Sequence, residues 1–205
     1  MSTIMENINS NSCQRRQPPT SAFAVANWFL GKAEEQNKQL TIARLQDFVY
    51  LAYGWYYAYY DEPLFDDVIF ATWRGPAVAT LATLFQGNSK KPINHRIKIF
   101  QDDKVEVWEP SVYLTQNETN NNNEERKTIE KKIESVLAMV WDGYSELSHS
   151  QLLLILYRST SPLGKICKNC EYFSRKVHNM PVDPEKIGEY FTELLDEYTE
   201  ELQKN

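Results

Sequence analysis

Cys167 and Cys170 stand in a Cys-Lys-Asn-Cys segment with the spacing of zinc-binding thiolates, and His178 follows eight residues later. A closed structural zinc site needs four ligands, and this segment supplies three unless the fold delivers Cys13 or another donor. Thioredoxin-type redox chemistry is disfavoured because no βαβ pattern precedes the pair. The three histidines, His95, His149 and His178, lie outside any Gly-x-Ser-x-Gly elbow or His-Glu-x-x-His helix. Neither an acyl-transfer triad nor a zincin can therefore be read. Gly164-Lys165 lacks the glycine spacing and following hydroxyl of a phosphate loop. Asp66-Asp67 and Asp102-Asp103 read as solvated turns. No catalytic residue, metal site or cofactor is assigned, and the expectation is a protein that is not an enzyme.

The chemistry this chain does advertise is that of contact. Trp73-Arg74-Gly75-Pro76 combines two residue types enriched at interface hot spots with a glycine that permits close backbone approach and a proline that fixes the next turn. Upstream, Tyr50, Tyr53, Trp55, Tyr56, Tyr57, Tyr59 and Tyr60 crowd one helical run. A single neighbour cannot bury rings on every side of one helix. Trp55, Tyr59 or Tyr60 is thus expected to remain partly exposed, and Tyr50, Trp55 and Tyr59 join Trp73–Pro76 as candidate partner-binding residues.

The elements that must position these residues are mostly helical. Thr20 or Ser21 can cap a first helix with Phe23, Ala26, Phe29, Leu30 and Ala33 inside. Thr41 caps a second, to about Tyr60, on the stripe Leu45, Phe48, Val49, Ala52 and Tyr56. Residues 66–73 read as a short helix or an extended link. Pro76 suits the first turn of a third helix with Val78, Leu81, Ala82 and Phe85 inward, stopped at Gly87-Asn88. Over 93–108 the period changes to alternation, Ile97 and Ile99 then Val105 and Val107, which predicts a β-hairpin. An Asn-rich loop at 115–126 leads to a helix on Ile129, Ile133, Val136, Leu137, Val140 and Trp141, ending near Gly143. Ser148 caps the apolar run Leu152–Tyr157. Asp183-Pro184 opens a last helix on Ile187, Tyr190, Phe191, Leu194, Leu195 and Tyr198. The fold class expected is mainly α: one compact domain over 20–205 of six or seven helices with a small β-hairpin, behind a disordered leader at 1–19.

Charge narrows the partners. The formal net charge is -6, and residues 183–205 carry eight acids against Lys186 and Lys204, so the rest is formally neutral. A nucleic-acid footprint needs clustered Lys and Arg, which argues against that class. The acidic last helix presents a negative face that could steer a basic protein. Three cysteines are too few for a disulfide scaffold, and no stretch has a signal peptide's apolar core or a membrane span's length. A cytoplasmic protein is expected.

Several segments together resemble a known family. They are Val25-Ala26-Asn27-Trp28-Phe29-Leu30, Leu45-Gln46, Val49-Tyr50-Leu51-Ala52-Tyr53-Gly54-Trp55-Tyr56, Pro63-Leu64-Phe65, Trp73-Arg74-Gly75-Pro76-Ala77-Val78, Val140-Trp141 to Tyr144, and Ile187–Phe191. In that order they resemble the Panacea domain, also described as SocA-like or GepA-like, of bacterial and prophage antitoxins. The resemblance covers roughly residues 22–195 and adds Gln46 to the candidate partner-binding set. It departs at Asp47, where the family usually has a basic residue, at Arg74, where it shows Tyr, and at Tyr157-Arg158 and Pro162-Leu163, where it favours Thr-His and Pro-Trp. A divergent member is implied. What the resemblance implies is an antitoxin that binds a co-encoded toxin, in some cases presenting it to a protease. The alternative is an adaptor or effector that keeps the fold and binds another partner. Oligomeric state and the toxin's identity are not readable.

Overall fold

The computed structural model describes residues 18–86, 91–101, 104–107, 123–169 and 179–204. Nearly all of the leader, Gly87-Asn88, Cys13, Cys170, His178 and most of the Asn-rich loop lie outside them. Within them run seven helices: α1 (Ala22–Glu35), α2 (Ile42–Tyr60), α3 (Ala79–Leu84), α4 (Asn123–Tyr144), α5 (His149–Leu156), α6 (Pro162–Asn169) and α7 (Pro184–Gln203). Five short strands accompany them: β1 (Ile69–Thr72), β2 (Gly75–Val78), β3 (Lys98–Gln101), β4 (Lys104–Val107) and β5 (Met180–Pro181). The protein is mainly α, as the pattern predicts.

Local chemistry sets most helix starts. Ser21, Thr41, Ser148 and Asp183 each accept a backbone N–H of the opening turn, and Ser148 forms a reciprocal capping box with Gln151. α2 closes on Asp61, which adopts the left-handed conformation at φ 53°.

α2 is the axis of the molecule. It packs against α1, α4, α5, α7 and β2, which explains how one helix can be apolar nearly all round. Phe48 stacks on Phe29 of α1 at 5.3 Å between centroids and meets Trp141 of α4 at 5.6 Å. On another side Tyr50 and Trp55 hold Phe191 of α7 edge-on at 5.9 and 5.2 Å. Tyr53 takes Phe65 at 5.0 Å. The α2–α7 crossing is made by a reciprocal pair of glycines. A Cβ on Gly54 would stand 2.3 Å from the Phe191 ring, and one on Gly188 would stand 2.3 Å from Tyr57. Each helix seats the other's aromatic ring where it has no side chain of its own.

Two β features frame this core. The hairpin expected within 93–108 is present as antiparallel β3–β4. Just before it, buried Asn27 of α1 accepts from the Ile97 N–H at 2.6 Å and donates to the Ile97 carbonyl at 2.8 Å, completing that backbone's bonding. The second feature corrects the sequence reading. Residues 69–78 form a β1–β2 hairpin, extended by β5 into a three-stranded antiparallel sheet of order β2-β1-β5. Pro76 therefore opens no helix; it sits in β2 opposite Ala71, and α3 begins at Ala79. β2 is an edge strand, where a proline's missing donor is tolerated.

Two further boundaries shift. α4 starts at Asn123, inside the stretch read as loop, with Glu124 and Glu125 in its first turn where the helix dipole favours acids. The unforeseen α6 is started by buried Ser161, whose hydroxyl accepts from the Gly164 N–H at 2.9 Å and donates to the Leu156 carbonyl at 2.6 Å.

Candidate functional site

The turn between β1 and β2 is built by its own residues and then fixed from below. Thr72 Oγ1 accepts from the Arg74 N–H at 3.1 Å and donates to the Gly75 carbonyl at 2.8 Å. Gly75 has φ 124°, a conformation that L side chains rarely adopt. At the tip, the Arg74 guanidinium lies 4.5 Å over the Trp73 ring, and Trp73 keeps 44% of its surface exposed. A cation stacked on a ring makes one flat, half-wet platform. Beside it, Trp73, Leu153, Leu154, Tyr157 and Cys167 line a cleft of 340 Å³. Leu154, at 77% exposed, is the most open large apolar side chain described.

Three side chains anchor this platform to the helices. Gln46 accepts from the Val78 N–H at 2.8 Å and donates to the Val78 carbonyl at 3.3 Å, gripping the far end of β2. The Tyr157 hydroxyl donates to the Thr72 carbonyl at 2.6 Å. His149 Nδ1 donates to Asp47 Oδ2 at 2.5 Å, joining the first turn of α5 to α2. The Asp47 side chain is fully buried, and its Oδ1 accepts no hydrogen bond from the described residues. Burial pushes this carboxyl up to about 6, against the opposing pull of His149 and Arg44. The hydrogen bond to Asp47 holds His149 above the ordinary imidazole range, opposed by partial burial. Desolvation lowers Arg44, which donates to the Ser145 carbonyl at 2.6 Å.

The eight candidate partner-binding residues thus separate by place. Trp73 and Arg74 are exposed at the tip; Gly75 and Pro76 are buried in β2 and shape it. Gln46 is 5% exposed and Tyr50 1%, so in this conformation both work inside the protein. Gln46 is needed by Val78, and Tyr50 fills the space between α2 and α7, where burial pushes its phenol pKa strongly up. Trp55 and Tyr59 belong elsewhere: 12 residues of α2 separate Tyr59 from Asp47, about 18 Å of helix at 1.5 Å per residue. There Trp55 donates to the Tyr144 hydroxyl at 3.3 Å, Tyr59 is 47% exposed, and Lys132 covers Tyr60. The expectation that Trp55, Tyr59 or Tyr60 stays partly open holds.

Five residues of the site were not singled out as candidates from sequence: Asp47, His149, Leu153, Leu154 and Tyr157. Asp47 had a legible signal. It is an acid inside a helix that is apolar nearly all round, and a carboxylate so placed needs a partner. Cys167 lines the cleft; Cys170 and His178 lie outside the described residues. Among the described residues, no group of three or more His, Cys, Asp or Glu could hold a metal ion. No helix among them is long and apolar enough to cross a membrane.

What this architecture offers is a mainly helical body presenting an aromatic–guanidinium tip on a braced hairpin. Residues 45–159 match the family described as "Antitoxin SocA-like, Panacea domain". The match covers more than half of the chain, from Leu45 at the base of the site past Tyr157 at its rim, and the chain belongs to this family. No curated protein and no solved structure matches it.

Proposed function

We propose that this chain is the antitoxin of a bacterial or prophage toxin–antitoxin pair, acts in the cytoplasm, and neutralises a co-encoded toxin by direct binding. Family membership supports the class, and the Trp73–Arg74 tip supports the mode. The tip is exposed yet held by Tyr157, Gln46 and its own Thr72, so little ordering entropy is lost when a partner covers it. Trp73 and the neighbouring Leu153–Leu154 cleft supply the apolar anchor, and Arg74 supplies fixed donors at its edge. The acidic outer face of α7 steers a basic partner into place, which acts on capture rate more than on final affinity. Trp55 and Tyr59 form a second contact patch at the opposite end of α2. Blocking the toxin outright and delivering it to a protease both begin from this contact.

Co-expression with the product of the neighbouring gene tests the reading. Growth should be rescued and a complex recovered, and Trp73→Ala with Arg74→Ala should abolish both while the chain stays folded. Absence of complex and of rescue with the wild-type chain would dismiss it.

A further inference from the structure

The Asp47–His149 pair joins positions 102 residues apart directly beneath the turn. A Cβ at Gly75 would stand 3.2 Å from Asp47 Oδ1 and 3.5 Å from His149 Cε1, so the pair bears on the one residue of the turn that only glycine fills easily. The imidazole also faces the Arg74 carbonyl, which favours its charged form. A carboxylate and a carbonyl on one imidazole are both served fully only when both ring nitrogens carry protons. A neutral ring that keeps its proton for Asp47 turns a lone pair toward its second acceptor.

We propose that Asp47 and His149 are positioning residues for the partner-binding edge, the doubly protonated imidazole tying the carboxylate of α2 to the backbone of Arg74, and loss of one proton freeing the turn. The inference rests on the reading of Trp73–Arg74 as that edge. Neither side chain is exposed as the tip is: Asp47 is sealed and His149 is 28% open, so both act through Arg74 and Gly75.

The surroundings fit such a device. On α2, Arg44 opposes the imidazolium and favours the carboxylate, and Glu146 partly offsets Arg44. At the C-terminal end of α5, Tyr157 lies within the field of Asp47 with its hydroxyl turned to Thr72, and Cys167 of α6 faces Tyr157. The turn itself contributes the Arg74 carbonyl, its guanidinium being stacked away over Trp73. With Asp47 pushed up to about 6 and His149 raised above 6.5, the fully charged pair occupies a window that opens near pH 6 and closes as the imidazole deprotonates.

The test is an NMR titration of the full chain from pH 5 to 9, following His149 Cε1–H, the Arg74 and Gly75 amides and the Trp73 indole N–H. His149 should titrate above 6.5, with the turn signals sharing its midpoint. Asp47→Asn should lower the His149 midpoint and carry the turn's midpoint down with it. His149→Gln should abolish the turn's titration, an effect that a purely structural role would not produce. Turn signals that stay flat while wild-type His149 titrates would overturn the proposal, as would an unchanged midpoint in His149→Gln. Should His149→Gln not fold, the wild-type comparison decides alone. Toxin capture is scored separately by co-expression. Coupling without any capture refutes the edge's assignment to a partner, and capture without coupling refutes the clamp.

Discussion

Replacing Asp47 by Asn separates the cost of a buried charge from the bond it makes. The Asp47 side chain has no exposed surface, and its carboxyl is raised from 3.8 to about 6, burial being the first cause. The sign is opposite to that of a surface carboxylate in a salt bridge. A group held above its unfolded value binds its proton more tightly in the folded state, so its ionisation opposes folding. The contribution is favourable below about pH 4 and is lost as pH rises to 6 and beyond. A rise from 3.8 to about 6 corresponds to about 3 kcal/mol. His149, also raised, acts in the same direction: its contribution is complete below 6.5 and lost as pH climbs through its folded value. Asn keeps an acceptor for His149 Nδ1 and removes the charge. Asp47→Asn should therefore be more stable than wild type at pH 8, by up to about 3 kcal/mol less whatever the charge-assisted bond contributed. At pH 4 the difference should shrink toward zero. Urea unfolding at pH 4, 6 and 8 measures both chains. A variant clearly less stable than wild type at pH 8, together with wild-type stability that rises between pH 6 and 8, would refute the reasoning.

Four other substitutions probe the scaffold and the tip. Gly54→Ala and Gly188→Ala each push a methyl into an aromatic ring at the α2–α7 crossing and should each cost about 1–3 kcal/mol in urea unfolding; values near zero would mean that the crossing is loose. Gln46→Leu strips the buried Val78 N–H and carbonyl of their partner and should destabilise by about 2–4 kcal/mol, with faster amide exchange at Val78 as the local signature. Trp73→Ala should leave stability within about 0.5 kcal/mol of wild type. It should weaken toxin binding by about 2 kcal/mol or more, roughly 30-fold, by calorimetry.

Helices were legible because their instructions are local. A hydroxyl or carboxylate at the cap and apolar residues at three- and four-residue steps suffice, and Ser21, Thr41, Ser148 and Asp183 all act as that chemistry predicts. The β1–β2 hairpin was not legible for the same reason. Gly75-Pro76 before Val78 and Leu81 satisfies the local rule for a helix start, and only pairing with Ile69–Thr72 and the grip of Gln46 on Val78 make it a strand. Tertiary partners overrode a sound local preference. β5 is harder still: two residues, Met180 and Pro181, gain strand character solely from β1.

The candidate site divides along the same line. Trp73 and Arg74 could be found by residue type, because contact chemistry is carried by the side chain itself. Asp47 and His149 could not be joined from sequence, since nothing in either neighbourhood names the other. Gln46 and Tyr50, drawn in as contact candidates, are interior, because a motif records that a residue matters and not which way it faces. The Leu45-Gln46 pair illustrates the difference. Leu45 is buried in the core and Gln46 holds β2, so this part of the family likeness fixes where the turn stands rather than what the turn touches. The exposed elements, Trp73, Arg74 and Leu154, sit on that support and can vary without disturbing it. A fold of this kind can hold its hairpin in place while the tip is rewritten, and exchanging Arg74 and Leu154 should alter which toxin is captured with little change in stability. A screen of tip variants against several toxins, read alongside urea midpoints, would show the two properties moving independently. Variants that change specificity only by unfolding the hairpin would refute that separation.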